Sequence, residues 1–207
     1  MRNVLTFLLL LFSLLCNGQS PKLFTTDKEL SSSLINQIYQ DRNGFIWIAT
    51  EDGLNRYDGA KFTIYKHEPN NEHSLAHNFV RTVFEDSKGH LLIGTYIGIQ
   101  MYDPGTDNFT PLAKLEDTGE TLESNINSFI ERKNGEIWVS GNVLCKLDIK
   151  DHLLTVRKVD IAVTSPGSLF EDKKQNVWMA KGEEGVYQLT PDNQLTLHLS
   201  KDNGYVK

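Results

Sequence analysis

Cysteine is scarce in this sequence: its 207 residues contain only Cys16 and Cys145. Cys16 falls in the N-terminal leader described below, which leaves Cys145 without an intramolecular disulfide partner. The stretch around it, NVLCKLD, has the look of a strand, so Cys145 reads as a small buried hydrophobe. No CxxC pair and no HExxH occurs, and His67, His73, His77, His90, His152 and His198 lack metal-ligand spacing. His73 and His77 are four apart, but they sit in the polar, loop-like NNEHSLAHN. No metal, cofactor or catalytic constellation is therefore expected. Positive charge is also in deficit: 21 Lys and Arg against 27 Asp and Glu give a formal charge of −6. A nucleic-acid partner, which needs a basic surface, is excluded on that ground. Beyond the N-terminus there is no run of 18 apolar residues, hence no candidate membrane helix, and no low-complexity tract.

The first residues differ from the rest. Arg2 precedes the uncharged run VLTFLLLLFSLL, Val4 to Leu15, and CNGQS follows with small Gly18. A charged start, short apolar core and small-residue exit form a secretory signal. A membrane anchor is the alternative, but a span needs about 20 apolar residues. A lipoprotein would use Cys16, although Leu15 stands where a small residue is expected. The reading is a signal peptide over residues 1–18, a mature chain from Gln19, and a domain over 19–207.

What the sequence has in abundance is repetition. Asp41-Arg-Asn-Gly44-Phe-Ile-Trp47-Ile-Ala-Thr50 is followed by Asp86-Ser-Lys-Gly89-His-Leu-Leu92-Ile-Gly-Thr95. Then come Arg132-Lys-Asn-Gly135-Glu-Ile-Trp138-Val-Ser and Asp172-Lys-Lys-Gln175-Asn-Val-Trp178-Met-Ala. The anchors Trp47, Leu92, Trp138 and Trp178 lie 45, 46 and 40 residues apart. Each copy holds short alternating apolar runs rich in β-branched and aromatic residues, which is the strand signal. In the first copy these runs are Leu34–Gln40, Phe45–Thr50, Leu54–Tyr57 and Phe62–Tyr65. DRNG and DSKG supply hairpin turns with glycine. Four strands per 40–45 residues is the unit of a β-propeller blade. The sequence predicts an all-β propeller with repeats near 30–66, 75–112, 122–157 and 164–200. The anchors are expected to pack between blades, with ligand stacking as the alternative.

Residues 40 to 59, Gln-Asp-Arg-Asn-Gly-Phe-Ile-Trp-Ile-Ala-Thr-Glu-Asp-Gly-Leu-Asn-Arg-Tyr-Asp-Gly, resemble the two-component regulator propeller repeat over their whole length. Ala49 stands for the usual Gly; residues 85–103 match with Leu92 for Trp; the third and fourth copies lack the Gly-Thr after the Trp. The resemblance implies the periplasmic sensor of a hybrid histidine kinase, with seven-bladed propellers, a β-sandwich, an inner-membrane anchor and a kinase elsewhere in the protein. Four blades would then be an incomplete part of a larger ring. The run Leu23–Thr26 would be the closing strand, and the open edges would favour self-association. The resemblance also implies a homodimer in the full-length protein, and oligosaccharides from polysaccharide breakdown as the ligand class.

Propellers bind through loops at one end of the axis. Here that end is expected to hold Thr50–Gly53, Thr95–Gly98, Gly141–Val143, Lys181–Gly185 and the links Lys66–Asn78 and Ala113–Asn125. Asn36, Arg81 and Asn127 fall in register on the first strands and are candidates for the channel wall, where amides and guanidinium suit sugar hydroxyls. Glu51 and Asp52 are further candidates, and Tyr96 offers a stacking face. For each, a solvated loop position or an inter-blade hydrogen bond is the alternative. Two other functions are open: a protein-binding scaffold, and a secreted propeller lyase or hydrolase, for which His77, Glu51 and Glu183 are the candidate acid/base residues. The leader reading is checked by N-terminal sequencing of the exported protein: Gln19 is expected first, and an intact Met1 would overturn it.

Overall fold

The structure is a computed structural model; it describes residues 23–26, 29–182 and 184–199. The leader and its cleavage point lie outside the described residues. The described residues contain strands and turns and no helix. The first sheet is β1 (Ile35–Gln40), β2 (Ile46–Thr50), β3 (Gly53–Tyr57) and β4 (Phe62–Tyr65), paired in chain order. The second is β5 (Val80–Glu85), β6 (Leu91–Thr95), β7 (Ile99–Asp103) and β8 (Asn108–Phe109). The third contains β10 (Ser128–Glu131), β11 (Ile137–Ser140), β12 (Leu144–Lys150) and β13 (Leu153–Lys158). The fourth is β14 (Leu169–Glu171), β15 (Val177–Lys181), β16 (Gly185–Leu189) and β17 (Leu195–Leu199). All these pairings are antiparallel. One addition was not legible in the repeat. A short strand β9 (Lys114–Leu115), from the link between blades 2 and 3, joins the outer edge of β13 in parallel.

β1 touches β5, β5 touches β10, and β10 touches β14, so the first strands form the inner wall of a row of blades. This is a β-propeller, and the alternation along each second strand explains how its blades stack. Side chains on a strand alternate faces. Trp47 and Ala49 face forward and share a core with Val80, Val83, Leu91 and Ile93 of blade 2. The intervening Leu92 points the other way, into a core with Phe129, Ile137 and Val139 of blade 3. Trp138 in turn joins Leu169, Val177 and Met179 of blade 4. Trp178 has the same register position but is only half-buried, with its ring 5.0 Å from that of His198. At the other end of the row, Ile38 of blade 1 is 62% exposed. Leu23–Thr26 forms no strand; Phe24 packs its ring on Tyr57 and Phe62 of blade 1. The blade that would pair with a closing strand is not among those described.

The aspartate of the turn has a double task. Asp41 accepts the N–H groups of Asn43 and Phe45 on Oδ1, closing the β1–β2 hairpin, and takes the Trp47 indole N–H on Oδ2 at 2.8 Å. Asp172 repeats this with Lys174 and Asn176 on one oxygen and Trp178 on the other. The indole hydrogen bond, followed by that from Asn176, holds the Asp172 carboxyl down at about 2. In blade 2 the indole is absent and His90 fills the same oxygen of Asp86. In blade 3 Arg132 replaces the aspartate, and Trp138 donates to Glu136 instead. Gly44, Gly89 and Gly135 have φ of 88°, 93° and 83°, and Gln175 holds 67° at the same offset without being glycine.

A second repeating contact ties neighbouring turns together. Glu85, Glu131 and Glu171 each end a first strand, and each accepts a turn N–H from the preceding blade, from Arg42, Ser87 and Lys133 respectively. Arg42 and Arg132 add side-chain ion pairs to Glu85 and Glu171, both glutamates being largely shielded from solvent. Trp47→Ala should lower stability by ~3–5 kcal/mol, the range for a large aromatic removed from a core. Trp178→Ala should lower it by only ~1–2 kcal/mol, within the range for an ordinary site. Urea unfolding of both variants checks the order; equal losses would contradict the one-sided burial.

Candidate functional site

The sequence candidates separate into two groups. Asn36 and Arg81 both sit where the pairing of the inner strand slips, between Ile35 and Gln37 and between Val80 and Thr82. A bulge takes a residue out of the ladder and re-aims its side chain. Both turn toward the next blade. Asn36 Nδ2 donates to the Val80 carbonyl at 2.8 Å, and Arg81 Nη1 donates to Asn127 Oδ1 at 2.8 Å. Asn127 Nδ2 passes the chain on to the Pro166 carbonyl at 3.0 Å. The register read from the sequence is therefore a ladder of inter-blade hydrogen bonds along the inner wall. Asp52 is likewise engaged, by Lys66 Nζ at 2.6 Å and Asn78 Nδ2 at 3.0 Å, which ties the first hairpin end to the following link. Glu51 is exposed and uses its backbone N–H on Leu34.

Tyr96 is different. It follows β6 and is 55% exposed, although its backbone N–H is anchored on the Phe79 carbonyl at 3.0 Å. Its ring lies 5.6 Å from that of His77 and 6.1 Å from that of Phe79. His77 Nδ1 accepts the Phe79 N–H at 2.9 Å, so the neutral ring carries its proton on Nε2. Beside Tyr96 opens a cavity of about 670 Å³, lined by Ile97 and Leu112 and by Glu123, Ser124, Asn125 and Asn142. These come from three stretches: the β6–β7 turn, the link into blade 3, and the β11–β12 turn. Ser124 Oγ accepts the Asn142 N–H at 3.0 Å and joins the last two. Asn125 Oδ1 is buried and accepts no hydrogen bond among the described residues. An exposed ring beside amides and a hydroxyl can stack on an apolar ligand face and bond its polar rim. Sequence reasoning singled out Tyr96 and placed the stretches Gly141–Val143 and Ala113–Asn125 at the same end, but it did not pick Asn142 and Asn125 out of them. They lie in irregular links, where no strand period fixes the register.

Among the described residues no hydrogen bond or ion pair joins Glu51 to His77, and Glu183 lies outside them. The described residues also contain no group of three His, Cys, Asp or Glu that could hold a metal ion. The Cys145 thiol is buried in the core between blades 2 and 3, and burial pushes its pKa up to about 11.

The comparisons with known proteins bear on the fold and on the repeat. At the level of fold, the extracellular domain of a B. thetaiotaomicron protein assigned as a hybrid two component system superposes with a TM-score of 0.72. It is 18% identical, over 90% of this chain and 28% of that one. Virginiamycin B lyase from Staphylococcus aureus gives 0.62 at 14% identity, over 86% of this chain and 59% of that one. Likeness at such identities shows the propeller fold alone. At the level of sequence, residues 29–52 and 74–96 match the two component regulator propeller model. A histidine kinase P4 of Formosa agariphila is 39% identical over 83 residues, 37% of this chain and 6% of that protein.

Removing the middle of the ladder gives a test. Asn127→Ala leaves Arg81 without its acceptor and the Pro166 carbonyl without its donor, so it should destabilise by ~1–3 kcal/mol. Urea titration measures this, and an unchanged midpoint would show that the ladder is not a structural tie.

Proposed function

We propose that this chain is a ligand-sensing propeller segment of a longer, exported, membrane-anchored two-component sensor that works as a dimer. In this reading the segment faces the periplasm and detects an oligosaccharide. The observation that carries it is the exposed Tyr96 ring, held by the Phe79 carbonyl at the side of a cavity rimmed by Asn125, Asn142 and Ser124. A sugar presents an apolar C–H face and a ring of hydroxyls. Tyr96 suits the first. The amides suit the second, with the buried Asn125 Oδ1 as an acceptor still lacking a donor among the described residues. The propeller repeats and the two-component relatives support placing such a site in a sensor. The exposed apolar side chains at both ends of the row, Ile38 among them, support further blades in the complete ring.

Calorimetry with a panel of oligosaccharides tests the reading. A member of the panel should bind, and Tyr96→Ala should weaken it about tenfold, in line with ~0.5–1.5 kcal/mol for an aromatic contact. The unfolding midpoint should not move, because the ring is exposed. Binding that is indifferent to Tyr96→Ala, or no binding by any member, would refute it.

A further inference from the structure

Arg81 is the inner-wall residue whose bonding is incomplete. Its guanidinium carbon lies 5.6 Å from the centre of the Phe79 ring, and Phe79 lies 6.1 Å from Tyr96. Arg81, Phe79, Tyr96 and His77 thus form one continuous strip from the inner wall to the cavity. Among the described residues the guanidinium makes a single hydrogen bond, Nη1 to Asn127. Its Nε is buried and has no partner among the described residues, and none of their carboxylates forms an ion pair with it. The cations of the neighbouring hairpin ends are in another condition: Lys66 is paired with Asp52 and Lys181 with Glu184. Elsewhere in the fold the half-buried arginines have acidic partners, Arg56 in Asp107 and Arg132 in Glu171.

A partly desolvated arginine stays charged and gains most from an oxyanion that its planar fork can grip at two points. The Phe79 ring beneath the guanidinium and the hydrogen bond to Asn127 restrain the fork, so less freedom is lost when an anion arrives. On the cavity wall Glu123 repels an oxyanion, and exposed Glu51 does so at the same end of the propeller. Both favour the Arg81 end of the strip for a negative group. We infer that the ligand is an acidic oligosaccharide, bearing a uronate carboxylate or a sulfate ester, whose ring stacks on Tyr96 while Arg81 holds the oxyanion. This rests on the Tyr96 site and adds the charge of its occupant.

The experiment uses two matched pairs of probes: oligogalacturonate against its methyl ester, and a sulfated galacto-oligosaccharide against the unsulfated one. Calorimetry should show the charged member of at least one pair binding about tenfold or more tighter, the scale of one charge-assisted bond. Which pair shows it separates carboxylate from sulfate. Arg81→Gln should erase the preference between the members of a pair, whereas Arg81→Lys should keep part of it. In the unmodified protein the preference should shrink as salt rises, a readout that survives if Arg81→Gln fails to fold. Equal binding within both pairs, a preference that persists in Arg81→Gln, or one indifferent to salt would overturn the acidic-ligand inference and leave the Tyr96 site standing. Absence of binding by all the probes would overturn both.

Discussion

Everything in this molecule depends on the burial of one blade face against the next. A four-stranded sheet of this size has two faces and cannot cover either by itself. The second strand solves the problem by alternation: Leu91 and Ile93 look back to Trp47, while Leu92 between them looks forward to blade 3. The forward position carries a large side chain in every blade, and it is fully covered only where a following blade is present. Trp47 and Trp138 are buried and Trp178 is not.

Directional contacts are laid over this apolar stack. The turn aspartate closes its own hairpin and orients the indole, so the same carboxylate shapes the blade and aims the residue that joins it to its neighbour. Where the pattern departs from that plan, the departures compensate. Blade 2 has no indole, and His90 takes its place on Asp86; blade 3 has no aspartate, and Glu136 receives the indole N–H with help from Lys146. Burial alone would raise the Glu136 carboxyl, but the hydrogen bonds from Lys146, Asn134 and Trp138 outweigh it and hold it at about 2. The glutamates that end the first strands then fix the angle between consecutive blades through backbone N–H groups, which do not depend on the identity of the turn residue.

The inner wall shows how one position can serve both structure and recognition. Asn36, Arg81 and Asn127 are equivalent in the repeat, and all three reach across to the next blade. An amide completes its bonding in that role, with one donor and one acceptor used by Asn127. A guanidinium does not, because it brings five donors and a charge to a place that offers a single acceptor. The excess lies beside the aromatic strip that leads to the cavity.

The sequence by itself determined the blades. Period-two alternation, a glycine turn after an acidic residue and a recurring large anchor place the strands of the first copy within a residue of their observed ends, because each is a local property of a few consecutive residues. The same register singled out Asn36, Arg81 and Asn127, and an aromatic in the turn after a second strand singled out Tyr96. Only the tertiary structure decided what those residues do. A side chain that points to the inner wall can meet a ligand or a neighbouring blade, and nothing local distinguishes the two outcomes. The repeat placed the links around Tyr96 at one end of the axis, but which of their residues line the cavity was out of reach, since Asn125 and Asn142 lie in stretches that carry no period and meet Tyr96 only when blades 2 and 3 are packed. The added strand β9 follows the same logic: two residues of a link become a strand because the edge of β13 offers them unpaired backbone groups, and that edge exists only once the blade has formed.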